Sequence, residues 1–351
     1  MPPGFHGDAI ELSGETGTML KSEIIGDYYP LWWKITSGGE SRDHPYDTSI
    51  IELNAGTGED YVADVRKTIL GSSGHALELK ATNSKTRKLT VVLFEDDADC
   101  FGHLKSVVRR RWPKLDWSEE TKGDTKRVYL VNADLTSALS ILNQIHLGNS
   151  LFFFDPLLFT PWIQIDSVAR KRIRTYYATR TEFIVFLFTS DWFNCRKGLI
   201  SPLPKTNDGK WSAEEKDAVE KCDQLFGHTT WRAKLLTDMP SEVRIRRLVG
   251  LYRDRLHTWF RYVLPLPFEP KTGQTYHLFM CSNYEDGVDI TKGYYAEYTR
   301  NDQYSPDNDS AYKKFVQAHP GQERPGNSKS VEWKILWRII KYHEEGLCDT
   351  R

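Results

Sequence analysis

Four apolar runs in the first half of the chain each stop on an acidic residue, with helical stretches between them. Ser49-Ile50-Ile51 runs into Glu52, Leu89–Phe94 into Glu95, Arg127–Ala133 into Asp134, and Asn149–Phe154 into Asp155-Pro156. Short, continuous apolar runs read as strands buried on both faces. Strands that alternate with helices pair in parallel, so their carboxyl ends gather along one edge of the sheet. The pattern predicts an α/β fold, a Rossmann-like sheet with helices on both faces. Such sheets bind ligands at the edge where the four carboxylates fall.

The first run is followed by Asn54-Ala55-Gly56-Thr57-Gly58-Glu59-Asp60. A glycine-rich turn at the mouth of a sheet lets a ligand approach backbone N–H groups that a side chain would otherwise shield. Glu52, at the end of the strand, can accept hydrogen bonds from a cation or an amine. Two other readings of such a turn fail on spacing. A dinucleotide fold needs G-x-G-x-x-G, and Gly56-Thr57-Gly58-Glu59-Asp60-Tyr61 lacks the third glycine. No G-x-x-x-x-G-K-[ST] occurs, which removes a P-loop.

The rest of the chain is divided by the same reasoning. Residues 1–46 are a polar lead, loop-like over 1–20, and a helix from Met19 to Ile35 that Pro30 should kink or split. Residues 47–190 form the core. Within it, 59–72 reads as a long loop, and Gly71-Ser72-Ser73-Gly74 leads into a helix over about 73–83. Asp96-Asp97-Ala98-Asp99 caps a helix that Pro113 stops, with Arg109-Arg110-Arg111 complementing its dipole. Helices are expected at 135–145 and 165–178, and a fifth strand at Glu182–Phe188. Residues 191–264 are a helical insertion, with helices at Ser212–Phe226 and Ser241–Val263, the second closed by Pro265 and Pro267. Residues 265–300 return a strand, Tyr276–Ser282, to the sheet. Residues 301–351 are a loop-rich tail with a last helix at Val331–His343.

Net charge is −1, so any attraction to a polyanion must be local. Two segments could supply it. One is Arg170-Lys171-Arg172-Ile173-Arg174, and the other is the helix from Ser241, whose six arginines include Arg246 and Arg247. Guanidinium groups fork onto phosphates and rings stack on bases, although a solvated helix face has the same composition. Five dispersed cysteines without a CxxC pair point to reduced thiols and to no zinc site. The start of the chain lacks a signal peptide's basic and apolar blocks, and no run reaches the ~18 apolar residues of a bilayer span. A soluble, cytoplasmic protein is expected.

The stretch from Ser49 to Asp60 resembles the first motif of class I S-adenosylmethionine-dependent methyltransferases. A longer series resembles the three-Cys-motif partner proteins, a prokaryotic family with a methyltransferase-like fold. It comprises Tyr28-Tyr29-Pro30-Leu31-Trp32, the Glu52–Gly58 stretch, Gly71-Ser72, Phe94-Glu95, Phe152-Phe153-Phe154-Asp155-Pro156, Phe226-Gly227-His228-Thr229-Thr230-Trp231 and Tyr276-His277-Leu278. The chain departs from the family at Glu52 for Asp, Asn54 for an aromatic, Thr57 for Pro, and Leu157-Leu158 after the Asp-Pro.

The resemblance implies S-adenosylmethionine as cofactor, held by Glu52, Asn54, Ala55, Gly56, Gly58, Glu95, Asp96 and Asp134. Glu95 would take both ribose hydroxyls, and Asp134 would lie near the adenine amino group. Asp155-Pro156 is similar to the motif of amino-methyltransferases acting on bases, including tRNA guanine-N2 dimethyltransferases. There the acid and a nearby carbonyl accept hydrogen bonds from an exocyclic amine. Cytosine-C5 chemistry is not expected, because no Pro-Cys pair is present. The resemblance also implies a three-Cys-motif protein as partner. A non-catalytic adaptor and a small-molecule methyltransferase remain as alternatives.

Overall fold

The computed structural model describes residues 5–291 apart from 8, 13–14, 38–45, 84–88, 122–126, 157–158, 175–178, 190–210, 269–275, 285–286 and 288–290. Leu157-Leu158, Cys195, the Ser201–Pro204 connector, the 301–330 loop and the Val331–His343 helix therefore lie outside the described residues. The chain divides into two units, Met1–Asn283 and Tyr284–Arg351, and both sheets and every labelled helix belong to the first.

Seven strands form the main sheet: β3 (Thr48–Glu52), β6 (Leu89–Glu95), β7 (Val128–Asn132), β8 (Asn149–Phe154), β9 (Thr181–Phe188), β10 (Tyr262–Phe268) and β11 (Tyr276–Ser282). Their spatial order is β10-β11-β9-β8-β3-β6-β7. The five central and early strands are parallel, and β11 runs antiparallel to both β9 and β10. Every residue of β3, β6 and β11 is buried, as strands covered on both faces require.

From β3 the chain builds outward through β6 and β7, then returns to place β8 on the other side of β3. The order reverses there, and the crevice beyond the β3 and β8 carboxyl ends is the topological switch point. Register makes the meeting concrete: Glu52 is paired with Leu93 on one side and Phe153 on the other, so Asp155 emerges next to it. The strand order and direction are those of the Rossmann-like class I methyltransferase sheet expected from the sequence.

One face of the sheet, with Ile51, Val92, Phe94, Phe152, Phe154 and Phe183, packs under α4 (Leu135–Leu142), α5 (Trp162–Ala169), α6 (Ala213–Phe226), the short α7 (Arg232–Leu235) and α8 (Ser241–Leu256). The alternate residues, Ile50, Val91, Leu93 and Phe153, point to the other face. That face is covered by α1 (Glu15–Thr36), α2 (Ser72–Thr82) and α3 (Ala98–Arg111).

Three expectations are corrected. Residues 1–20 hold two short strands, β1 (Phe5–His6) and β2 (Ala9–Leu12), and the start of α1, which passes through Pro30 as one helix. The supposed 59–72 loop contains β4 (Glu59–Val62) and β5 (Lys67–Leu70), which join β1 and β2 in a second sheet, order β1-β2-β4-β5. Its parallel β2–β4 pairing joins segments about fifty residues apart, Ile10 to Asp60, which local periodicity cannot register. Finally, α8 ends at Leu256, and Pro265 and Pro267 lie inside β10 instead of closing a helix. Among the described residues β10 is the outermost strand of the sheet, a position that tolerates proline.

The glycine turn is locked from behind. Gly58 has φ +83°, its carbonyl accepts from the Gly71 N–H at 3.1 Å, and a Cβ on Gly74 would sit 2.1 Å from that same oxygen. Gly74→Ala must therefore push the turn or α2 aside. Urea denaturation should show a loss of roughly 1–3 kcal/mol, as overpacking of a rigid contact does.

Candidate functional site

The turn after β3 is pinned to the neighbouring strand ends. Ala55 N–H donates to the Phe94 carbonyl (2.8 Å), and Leu53 N–H to that of Phe153 (3.1 Å). The Glu95 carboxylate takes the Gly56 N–H on Oε2 (2.7 Å) and the Asp97 N–H on Oε1 (3.0 Å). Burial pushes its pKa up, against the pull of those two N–H bonds. Each oxygen keeps a lone pair for a further donor. Asn132 Nδ2 closes the floor by donating to the Glu95 carbonyl (2.7 Å). Between them, the Oδ1 of Asn54 is buried without a hydrogen-bond partner among the described residues. A buried amide oxygen left open beside a glycine turn is a place for a ligand donor.

One strand over, a second cluster fills the switch-point crevice. Lys21, from α1, donates to Asp155 Oδ2 at 2.7 Å and lies 4.9 Å from the Phe186 ring centroid. Tyr29 of the same helix donates to Glu52 Oε1 (2.8 Å), and Ser72 of α2 to Glu52 Oε2 (2.7 Å). Asp60 and Tyr276 also feel these charges. Burial drives Glu52 up to about 8, although the Ser72 and Tyr29 hydrogen bonds oppose it. Burial likewise lifts Asp60 to about 6, with Lys21 pulling the other way. For Lys21, burial lowers the pKa, but the carboxylates of Asp155, Asp60 and Glu52 outweigh it and leave the ammonium stabilised.

The structure thus brings Glu52, Asn54, Ala55, Gly56, Gly58, Glu95 and Asp155 to one edge. Asp96 and Asp134 are exposed. Asp134 Oδ1 caps α4 by accepting from the Ser137 N–H (2.7 Å), and Asp97, not Asp96, caps α3. Lys21, Asp60 and Tyr29 escaped the sequence reading. Tyr29 lay in the Tyr28–Trp32 segment without being singled out as a site residue. Burial pushes the Cys100 thiol up to about 12. Among the described residues, no group of His, Cys, Asp and Glu is arranged to hold a metal ion, and no helix is long and apolar enough to cross a membrane.

The basic segments separate. Arg172 is buried, and its Nη2 donates to the Gly148 carbonyl (2.6 Å) and Ser150 Oγ (2.9 Å), which corrects its assignment to a polyanion surface. Arg174, Arg246 and Arg247 are exposed, and Lys171 is half-buried. Arg170 pairs with Asp166 (2.9 Å), and Arg170 and Arg174 both lie against the Trp259 ring, at 5.7 and 5.1 Å. The Phe226–Trp231 motif is structural. Gly227 ends α6 at φ +67° with Trp162 packed behind it, and the Trp231 indole donates to Asp223 (2.9 Å).

No protein-family model matches the chain, and no curated protein matches it. Among solved structures it is similar to Trm1 from Pyrococcus horikoshii in complex with S-adenosyl-L-methionine, at 13% identity and TM-score 0.41, over 84% of this chain and 64% of that one. It is also similar to a delta-N METTL16 MTase domain, at 11% identity and TM-score 0.34, over 74% and 83% of the two chains. A third is the N-terminal domain of EvdMO1 with SAH bound, at 12% identity and TM-score 0.34, over 74% and 80%.

Glu52 and Asp60 have raised pKa values, so the folded protein holds their protons more tightly than the unfolded chain does. Their contribution to stability is complete below the ordinary carboxyl range. It is lost as pH rises through about 6 for Asp60 and about 8 for Glu52. Glu52→Gln removes the second loss. Between about pH 5 and pH 9 the melting temperature of the wild type should fall relative to Glu52→Gln by about 2 °C or more, the shift that ~1 kcal/mol produces in a large domain. A gap that stays constant with pH would show that Glu52 does not carry the titration.

Proposed function

We propose that this protein is an S-adenosylmethionine-dependent methyltransferase of the three-Cys-motif partner type, acting on an exocyclic amine of a nucleic-acid base. The observation that carries the reading is the set of ligand-ready polar groups at the strand ends. It combines an open Asn54 Oδ1, a glycine turn at Gly56 and Gly58, Glu95 with lone pairs to spare, and Asp155 one strand away. These groups fit the cofactor's polar parts: carboxylate oxygens for a ribose diol, and an amide oxygen and backbone groups for the amino-acid end. Bound there, the cofactor would supply an electrophilic methyl group.

The chain's own residues then orient the acceptor. Asp155 Oδ2 is held by Lys21, while Oδ1 makes no hydrogen bond among the described residues and can accept from an amine N–H. That hydrogen bond aligns the nitrogen lone pair and receives the proton the amine must shed. Exposed Arg174, Arg246 and Arg247 supply the local positive charge that a net charge of −1 cannot supply globally. A second reading, a binding module that works with a three-Cys-motif partner, is favoured by the fact that Lys21 already occupies one Asp155 oxygen. Transfer of a labelled methyl group to RNA or DNA would decide against it.

Calorimetry with S-adenosylmethionine tests the cofactor site. Wild type should bind, and Glu95→Gln should weaken binding by ~1.5–3 kcal/mol, as loss of a charged hydrogen-bond acceptor does. An absence of heat at millimolar ligand would remove the cofactor claim.

For the substrate, RNA and DNA affinities should fall steeply as salt rises. The triple variant Arg174→Ala/Arg246→Ala/Arg247→Ala should flatten the logarithmic salt slope by roughly 0.7–0.9 for each lost phosphate contact. An affinity insensitive to salt would exclude the phosphate contacts.

A further inference from the structure

We propose that Lys21 determines which acceptor this site can take: its pairing with Asp155 leaves the crevice only enough negative charge for the cofactor's sulfonium, so the acceptor must be an uncharged amine. This rests on the methyltransferase reading above and narrows it. The acceptor would belong to the class of amino groups conjugated to a ring, and lysine side chains and polyamines would be refused.

The charge count comes from the groups that face one another in the crevice. Asp155 and Asp60 bring two carboxylates, Lys21 brings one ammonium at 2.7 Å from Asp155, and Phe186 offers its ring face to that ammonium. Glu52 is fully buried, and its hydrogen bonds come from two hydroxyls and not from a cation. Held near a pKa of 8, it is mostly protonated at neutral pH. One net negative charge remains. A bound sulfonium cancels it, and a second cation would then enter a buried site with nothing to balance it. Without Lys21 the crevice would hold two negative charges and could admit both cations.

Lys21 is also placed to act through Asp155 and not merely to fill space. It comes from a helix 134 positions away in the chain and fixes one carboxylate oxygen while the other stays open. The role is that of a positioning and specificity residue.

The sulfonium/thioether pair reads this charge directly, because S-adenosylmethionine and S-adenosylhomocysteine differ by one methyl group and one positive charge. Their dissociation constants would be measured on wild type, Lys21→Met, Lys21→Arg and the charge-balanced Lys21→Met/Asp155→Asn. Lys21→Met should shift the ratio toward the sulfonium by about tenfold or more, the effect of a unit charge within a poorly solvated site. Lys21→Arg and the double variant should keep the wild-type ratio. The double variant keeps the crevice at one net negative charge, without the second carboxylate that Lys21→Met leaves uncompensated, and so covers the case in which Lys21→Met fails to fold; a shifted ratio there would contradict the proposal. A residue that only supported the fold would weaken both ligands equally in Lys21→Met, and an unchanged ratio with binding intact would overturn the inference alone. Failure of both ligands to bind wild type would overturn the methyltransferase reading, and this inference with it.

Discussion

The carboxylates at the switch point can be buried only because the N-terminal helix covers them with matching groups. A carboxylate taken out of water without partners is too costly to keep in a fold. Here α1 answers each one in turn. Lys21 meets Asp155, Tyr29 meets Glu52, and Tyr28 meets Glu182 at 2.8 Å near the opposite end of the sheet. Asn149, at the start of β8, completes the clamp by donating to the Thr36 carbonyl at the helix's end (2.8 Å). The helix is therefore part of the sheet's electrostatics as much as of its packing. The same contacts hold the mouth of the crevice in shape.

The glycine turn depends on a different restraint. Its conformation is fixed by close backbone approach, with Gly58 against Gly71 and Gly74, and by Glu95, which spends hydrogen bonds on the Gly56 and Asp97 N–H groups. Ser73 adds a bond to the Ala55 carbonyl at 2.6 Å. What stays open is the Asn54 Oδ1, buried without a partner among the described residues. A rigid floor of this kind loses little conformational freedom on binding, which is what a preformed ligand site needs.

The parallel sheet was legible in the sequence because its strands are continuous apolar runs with an acid at the end. Leu89 to Glu95 is bounded in the structure as the residues suggest. What was not legible depends on partners distant in the chain. β4 and β5 carry polar residues such as Glu59, Asp60 and Lys67, and they become strands by pairing with β2 and with each other. β10 looked like a helix terminus because prolines end helices, yet the outermost of the described strands also tolerates them. In the site, the acids are legible as residue types, and the hydrogen bonds that each one makes are not. Asp134 and Arg172 have the right chemistry in the right region, but one caps a helix and the other ties β8 to the chain around Gly148.

That difference between a residue type and its commitments also bears on Asp155. An Asp-Pro after a parallel strand suggests an acid facing a substrate amine, and sequence alone leaves its surroundings blank. With Lys21 on one oxygen, its negative charge is already shared, so it can orient an amine hydrogen but attracts a cation weakly. With Glu52 held mostly neutral beside it, the crevice avoids the repulsion of three adjacent carboxylates. The choice of Glu where the resemblance leads one to expect Asp fits this arrangement. The longer side chain reaches both the Tyr29 and Ser72 hydroxyls from a strand end that has no exposure to solvent. Glu52 with its two hydroxyl donors and the Lys21–Asp155 pair are thus parts of one charge balance, set by how much unpaired negative charge a buried crevice can hold.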